Sequence, residues 1–141
     1  MIAIGSDHGG FELKEKVKAH LDKNQIAYKD FGAFNTDSVS YVPVAKEVSA
    51  AVLSGEYQCG ILICGTGIGI SMAANKVRGI RAAVCGDLFS VKYTRLHNDA
   101  NILCMGGRVI GDGLACEIAD VFLNTPFEGG RHLDRISALE D

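Results

Sequence analysis

The sequence predicts a single α/β domain of three layers, in which helices cover both faces of a five-stranded parallel sheet. Two observations predict this class. Short β-rich apolar runs alternate along the chain with longer segments of helical period. The composition, with 48% hydrophobic and 22% charged residues among 141, is typical of one well-packed globular unit. Since no repeat, linker or biased segment interrupts the sequence, we expect residues 1–141 to form one domain.

The strands are predicted from the short apolar runs. In chain order they are Ile2–Gly5, Ile26–Phe31, Gly60–Cys64, Ile80–Cys85 and Asn101–Met105. Strands that alternate with helices form a parallel sheet, as in Rossmann-like folds. Ligands of such open sheets bind in the crevice outside the carboxyl ends of the strands, so we expect functional residues directly after the strands.

Three helices are predicted from apolar residues that recur on one helical face. These faces are Leu13, Val17 and Leu21; Val44, Val48 and Val52; and Leu114, Ile118 and Phe122. Shorter crossover helices are predicted at Ile68–Lys76 and Asp87–His97, and a last helix at His132–Glu140. The regular spacing favours a role in the core for these faces over a role in binding a cofactor.

Net charge, the N-terminal pattern and the cysteines limit the partners, the location and the metal sites that this protein is expected to have. The formal net charge is -3, and no run of like charges exceeds two, so neither nucleic acid nor an anionic membrane is favoured. The N-terminus lacks the pattern of a signal peptide and no stretch approaches eighteen apolar residues, which predicts a cytoplasmic protein. The odd number of cysteines contains no C-x-x-C pair, which predicts reduced thiols. No histidine or cysteine pair has zinc spacing, so we predict no metal site.

Distinctive motifs follow four of the predicted strands. The first strand is followed by "SDHGG", the third ends in "CGTGIGIS", the fourth ends in "CGD", and "GGR" follows the fifth. Because the carboxyl ends of parallel strands meet at one edge of a sheet, these motifs are expected to lie close together.

The glycine-rich loop after the third strand departs from three known patterns. A dinucleotide fingerprint needs a third glycine where Ile70 stands, and a Walker A loop needs a lysine after its last glycine, Gly69. A cysteine phosphatase loop would place an arginine six residues after Cys64, which is again Ile70. Nucleotide binding and phosphatase chemistry are therefore disfavoured.

The loop still has the properties of a site for negative charge. Backbone N–H groups that are unobstructed at Gly65, Gly67 and Gly69 converge at a helix N-terminus, where they stabilise a bound or developing anion. The same positive field would favour the thiolate of Cys64, which could then serve as a base or nucleophile. Spacing alone leaves open that Cys64 is an inert buried thiol.

Three further groups each have a structural and a functional interpretation. Asp7 follows the first strand and could cap the next helix or act in a site. His97 could stabilise the C-terminus of a helix or act as a catalyst. Arg131 and Arg135 lie four residues apart, so they could grip one phosphate together or pair with nearby carboxylates such as that of Glu140.

Four motifs in this order carry a resemblance to a known family. They are "GSDHGGFELK" at the start, "GILICGTGIGISMAANKVRGIRAAVC" in the middle, then "RLHNDANIL", and "EGGRHLDRI" near the end. Together they resemble the type B ribose-5-phosphate isomerases, a family that also holds galactose-6-phosphate and allose-6-phosphate isomerases. The resemblance runs from Met1 to about Leu139. It implies an aldose–ketose isomerisation through an enediolate, without metal, nucleotide or other cofactor.

The resemblance also implies a role for individual residues. Cys64 would be the general base, Thr66 would handle the adjacent oxygens, and His97 with Asp7 would open the sugar ring and orient it. The enediolate charge would be held by the loop residues Gly65, Gly67, Ile68 and Gly69. Contacts to the sugar and its phosphate would come from His8, Tyr41, Asn98, Arg131 and Arg135, with Arg108 as a further candidate.

The resemblance implies a homodimer or tetramer whose active site is completed across a subunit interface. One departure concerns the substrate: many members have Asp-Tyr-Pro where this chain has Ser40, Tyr41 and Val42. We therefore expect a pentose phosphate first and a hexose 6-phosphate second. Two other classes stay open: a phosphate-binding or phosphocysteine carrier module, and a non-catalytic partner subunit. The joint presence of Cys64, Thr66 and His97 favours a self-sufficient enzyme.

Overall fold

The computed structural model describes all residues from Met1 to Asp141 and contains one sheet of five parallel strands. The strands are β1 (Ile2–Ser6), β2 (Tyr28–Asp30), β3 (Cys59–Cys64), β4 (Ala82–Val84) and β5 (Ile102–Gly106). Their order across the sheet is β2-β1-β3-β5-β4, and every neighbouring pair is parallel. The predicted fold class is confirmed.

The chain forms six helices, five of which cover the sheet. They are α1 (Phe11–Lys23), α2 (Tyr41–Leu53), α3 (Ile68–Asn75), α4 (Leu88–Asn98), α5 (Asp112–Asn124) and α6 (Arg131–Ser137). Short 3-10 turns precede α1 at His8–Gly10 and follow α6 at Ala138–Glu140. Helices α1, α4 and α5 pack on one face of the sheet and α2 and α3 on the other, while α6 lies against α4. None of the helices combines the length and the apolar character that crossing a membrane requires.

The two edge strands are shorter than the sequence predicts. Strand β2 begins at Tyr28 because Ile26 still belongs to the turn that ends α1, where its N–H donates to the carbonyl of Leu21 at 2.9 Å. Strand β4 spans only Ala82–Val84, since it pairs with β5 alone. An edge strand has hydrogen-bond partners on one side only, so local turns at its ends compete more easily with the ladder.

Each face of the sheet carries its own apolar core. The predicted stripe of α1 is buried, with Leu13, Val17 and Leu21 all packed on one face. The stripe of α2 is buried on the opposite face. Strand β3 lies in the middle of the sheet and is buried along its whole length. This rigid central strand fixes the position of the loop that follows Cys64.

One buried charge was not expected from the sequence. Lys14 is fully buried, although it lies beside the apolar stripe of α1. Its ammonium group donates to Asp30 Oδ1 at 2.8 Å and to the carbonyl of Ala33. Lys18 reaches the other carboxylate oxygen of Asp30 at 2.9 Å. The two lysines therefore tie α1 to the end of β2 and to the loop that leads into α2.

Replacing Asp30 by asparagine is expected to lower the free energy of unfolding at neutral pH by about 3 kcal/mol, because Lys14 would keep a buried charge without a counter-ion. Burial favours the neutral carboxyl group of Asp30, but the hydrogen bonds from Lys14, Lys18 and the N–H of Gly32 outweigh it and lower the pKa. The contribution of the pair is therefore present at neutral pH and is lost as the pH falls through this lowered pKa. Urea unfolding of Asp30→Asn beside Glu47→Gln, on the exposed surface of α2, measures the effect.

Candidate active site

The predicted site loops meet where the chain reverses direction across the sheet. From β1 the chain goes to β2 on one side, while β3 lies on the other side of β1, which creates a crevice at the carboxyl ends of β1 and β3. The N–H of Asp7 donates to the carbonyl of Ile63 at 3.3 Å, and the N–H of Gly107 donates to the carbonyl of Cys64 at 2.8 Å. The ends of β1, β3 and β5 are thus joined around Cys64.

Cys64 is the last residue of β3 and is 5% exposed. Its sulfur accepts a hydrogen bond from the N–H of Gly67 at 3.1 Å. Cys59, at the other end of the same strand, has no such donor, and burial raises its pKa to about 12. The two thiols of β3 therefore lie in different environments, and only Cys64 lies next to the glycine-rich loop.

The local backbone geometry requires glycine in the loop that follows Cys64. Gly67 precedes α3 with a φ of 82°, and a Cβ atom there would lie 2.8 Å from the carbonyl carbon of Met105. The turn can therefore close only with glycine at this position. In the first turn of α3, the N–H groups of Gly69 and Ile70 donate to no protein acceptor. These free donors and the helix dipole point to a site for negative charge.

Thr66 projects from the exposed side of the same loop. Its hydroxyl oxygen accepts a hydrogen bond from the N–H of Ile68 at 3.2 Å. The hydroxyl hydrogen is thereby left free to donate elsewhere, two residues from the sulfur of Cys64. The structure thus places a thiol, a hydroxyl group and free backbone N–H donors in one short loop.

Tyr41 packs directly onto this loop. A Cβ atom at Gly69 would lie 2.8 Å from Cζ of Tyr41 and 3.0 Å from its hydroxyl oxygen, so glycine permits the contact. Tyr41 begins α2, and the hydroxyl of Ser40 accepts a hydrogen bond from the N–H of Val42 at 3.2 Å. A proline at position 42 could not donate this bond. Ser40 and Val42 together therefore start α2 in a way that keeps Tyr41 against the loop that follows Cys64.

Asp7 does cap the turn that follows β1. Its Oδ1 accepts a hydrogen bond from the N–H of Gly10 at 3.1 Å, and the residue is 8% exposed. Next to it, Nδ1 of His8 lies 3.1 Å from the backbone nitrogen and 3.3 Å from the carbonyl oxygen of Val39, so the ring is held against the loop that precedes α2. Asp7 therefore has the capping role that the sequence allowed, and its second carboxylate oxygen is still available to contact a ligand.

His8 and Arg108 share a cavity beside the loop of Cys64. The cavity has a volume of about 320 Å³, and Gly9, Glu12 and Gly107 also line it. The guanidinium group of Arg108 lies against Gly65, 3.3 Å from where a Cβ atom would be. The sequence made Arg108 the weakest of the phosphate-binding candidates, whereas the structure places it closer to Cys64 than Arg131 or Arg135.

The remaining predicted residues lie at the opposite edge of the sheet. His97 and Asn98 end α4, which starts after β4 and runs back along the sheet for eleven residues, a length of roughly 16 Å. Arg81, which precedes β4, donates to the carbonyls of Asn98 and Asp99 at 3.2 and 3.0 Å. His97 and Asn98 are therefore at the amino ends of the strands, away from Cys64 of the same chain.

Arg131 and Arg135 lie on α6, at this second edge. Both are exposed, and neither forms an ion pair within 4 Å. Glu140, which the sequence offered as a partner, instead accepts from the N–H of Gly79 at 2.7 Å and lies 3.7 Å from Arg78. The two arginines are therefore free to bind an anion, as the functional interpretation requires.

Two further features lie beside this second group. A cavity of about 390 Å³, lined in part by Asn98, Arg81 and Glu140, opens at the amino ends of the strands. Nitrogen and oxygen atoms of His97, Glu128 and His132 lie within 4.8 Å of one another and are the group of side chains nearest to a metal-binding set. The rings of His97 and His132 are stacked face to face, so their in-plane lone pairs run side by side rather than converging on one point. The structure thus offers no preformed tetrahedral site there.

Comparison with known proteins identifies the family. The model of the Ribose/Galactose Isomerase family matches residues 2–139. The chain is 47% identical to ribose-5-phosphate isomerase B of Escherichia coli, over 98% of this chain and 93% of that protein. The ribose-5-phosphate isomerase B of Clostridium thermocellum superposes with a TM-score of 0.97 at 50% identity, covering 99% of this chain and 94% of the other. The ribose 5-phosphate isomerase of Thermotoga maritima gives a TM-score of 0.97 at 52% identity, covering 99% and 96%.

Proposed function

Because the chain belongs to the ribose/galactose isomerase family and is a sugar-phosphate isomerase, we propose that its reaction is the interconversion of ribose 5-phosphate and ribulose 5-phosphate. The observation that carries the proposal is the arrangement around Cys64. A thiol with an N–H donor on its sulfur lies beside a hydroxyl group and free N–H groups at the start of a helix. An isomerase that works through an enediolate needs these three groups: a base, a proton carrier between oxygens and a site for the charge.

In the proposed mechanism the thiolate of Cys64 removes the proton from C2 of the open-chain aldose. The negative charge that develops on the oxygens is stabilised by the N–H groups of Gly69 and Ile70 and by the α3 dipole. Thr66 moves the hydroxyl proton between O2 and O1, and Cys64 returns its proton to C1. One carbon is oxidised and its neighbour is reduced within the sugar, so the reaction balances without an external electron acceptor.

Ribose 5-phosphate is mostly a closed ring, so the ring must open first. We assign this step to His97 and Asp7. Asp7 takes the proton of the C1 hydroxyl, His97 gives a proton to the ring oxygen, and the bond between that oxygen and C1 breaks. Since His97 and Asp7 lie at opposite edges of one chain, the step requires His97 from a second copy, with Asn98 beside it on the sugar hydroxyls.

The proposal therefore includes a homo-oligomer, at least a dimer, with active sites shared between subunits. Apolar side chains around the loop of Cys64 support it. Ile68 and Met72 on α3, Phe89 on α4 and Val109 after β5 are all exposed, by 50%, 63%, 72% and 65%. Exposed apolar residues around a site are typical of a surface that a partner covers. We also propose a cytoplasmic location, where the buried thiols of the sheet would remain reduced.

The substrate phosphate is assigned to His8 and Arg108 of one subunit and to Arg131 and Arg135 of the other. Replacing Arg131 or Arg135 by alanine is expected to raise KM for ribose 5-phosphate by roughly tenfold, with a smaller loss in kcat, because each removes a charge-assisted contact to a group remote from the reacting carbons. Steady-state kinetics beside Arg78→Ala, an exposed arginine outside the site, checks this. Unchanged KM in both variants would remove these arginines from the site.

The substrate assignment is tested by assaying the purified protein on ribose 5-phosphate, allose 6-phosphate and galactose 6-phosphate. We expect the highest kcat/KM on ribose 5-phosphate. A higher value on either hexose phosphate would reassign the substrate within the same chemistry. No turnover of any sugar phosphate would contradict the proposed reaction.

A further inference from the structure

His132 is a buried histidine that the proposed mechanism does not use. It lies in the first turn of α6, is 5% exposed, and its Nε2 has no hydrogen-bond partner. Its ring is stacked on that of His97, with centroids 4.1 Å apart and planes within 13°. A polar ring buried without a partner for its nitrogen is costly, so its position requires a reason.

The ring of His97 contacts two other aromatic rings. Tyr93 packs edge-on against this ring at a centroid distance of 5.1 Å, whereas His132 contacts it face to face. Tyr93 is one helical turn before His97 on α4, while His132 is on a different helix. The imidazole of His97 is therefore oriented by two rings, of which the buried one has little freedom to move.

Glu128 links the two histidines and their helices. Its carboxylate oxygens lie 3.7 Å from Nε2 of His132 and 3.9 Å from Nε2 of His97. Its N–H donates to the carbonyl of Leu96 at 3.0 Å, which joins the segment before α6 to α4 at the residue preceding His97. The contact between the two rings is thus fixed by the backbone as well as by packing.

The charges around His132 keep its ring neutral. Burial lowers the pKa of His132, and the positive charges of His97, Arg131 and Arg135 act in the same direction against the carboxylate of Glu128. A neutral His132 adds no positive charge next to the ring of His97 and presents an aromatic face to it.

We propose that His132 is a positioning residue for ring opening: by stacking, it holds the imidazole of His97 in the orientation from which His97 donates to the sugar ring oxygen, and Glu128 secures the pair. The inference rests on the proposed function. It makes His132 specific to one step, because proton transfer by Cys64 acts on the open chain and does not need His97.

Hydrogen exchange in ribulose 5-phosphate separates these steps. This sugar has no free hydroxyl at C5 and stays open, so the exchange of its C1 hydrogen with solvent deuterium requires the base but neither ring opening nor ring closure. We expect His132→Leu, which fills the volume without a flat ring, to lower kcat/KM for ribose 5-phosphate by roughly tenfold, as expected for a misplaced catalytic group. The rate of solvent-deuterium exchange at C1 of ribulose 5-phosphate should change less than about threefold, since proton transfer by Cys64 is intact.

Three comparisons make the test decisive. His132→Phe keeps a ring that can stack and is expected to restore most of the activity on ribose 5-phosphate. Ser137→Ala, on the exposed end of α6, should behave as wild type, and His97→Ala shows the selectivity that loss of ring opening produces. Equal losses in turnover and in deuterium exchange, no loss at all, or a His132→Phe variant as impaired as His132→Leu would each overturn the proposal. If wild-type protein turned over neither sugar, the proposed function itself would fail instead.

Discussion

Replacing Cys64 by alanine is expected to lower kcat for ribose 5-phosphate by roughly 10²-fold or more, because it removes the general base that transfers the carbon-bound proton. The fold should survive, since alanine fits where the sulfur was and β3 keeps its pairing with β1 and β5. Thermal melting would verify the fold, and a coupled assay of ribulose 5-phosphate would measure the rate. The loss should appear equally with ribulose 5-phosphate, because both directions need the base.

Cys59→Ala is the matched control for this variant. It removes a buried thiol from the same strand, at the end that lies away from the loop. Since burial raises the pKa of Cys59 to about 12, this thiol stays protonated at neutral pH and should be catalytically silent. A Cys64→Ala enzyme with nearly full turnover would show that the base is another group, whatever the fold.

Replacing His97 by alanine is expected to have the second large effect, with a loss of roughly 10²-fold in kcat/KM for ribose 5-phosphate, the usual contribution of a positioned acid. In contrast to Cys64→Ala, the exchange of the C1 hydrogen of ribulose 5-phosphate with solvent deuterium should fall much less, because this exchange involves no ring. Turnover of ribose 5-phosphate and deuterium exchange, measured side by side, give the difference. Equal losses in turnover and exchange would contradict the assignment of His97 to ring opening.

Much of the fold and half of the candidate site were predictable from the sequence, for a physical reason. Apolar runs and helical stripes report which residues are buried, and parallel strands direct the residues that follow them to one edge. Asp7, the loop after Cys64 and Arg108 therefore come together as predicted. The family and the reaction class were likewise predicted from the four motifs and are confirmed by the comparisons.

The positions of His97, Arg131 and Arg135 needed the structure. A helix that crosses back over a parallel sheet carries the residues at its end to the opposite edge, so His97 at the end of α4 cannot lie near Cys64 of the same chain. The length of the predicted helix implied this separation of His97 from Cys64, but helix length does not indicate which surface of the protein faces a second copy. The resemblance to a family with shared active sites supplied that expectation, which stays a prediction.

Buried polar residues were the least predictable part. Lys14 lies next to the apolar stripe of α1 and would ordinarily be assigned to solvent, because its burial depends on Asp30, sixteen residues away. The stacking of His132 on His97 likewise joins helices that are separated by more than thirty residues. Local spacing carries no signal for such contacts, which arise only once the helices have packed on the sheet.

The central claim, that each active site combines Cys64 of one subunit with His97 of another, is tested most directly by mixing two inactive variants. Cys64→Ala and His97→Ala are unfolded together in equal amounts, refolded and assayed on ribose 5-phosphate. If sites are shared in a dimer, half of the molecules are mixed and each holds one intact site, so activity should return to roughly one quarter of wild type. A mixture no more active than the separate variants would contradict the claim, because it would place both residues in the same subunit's site.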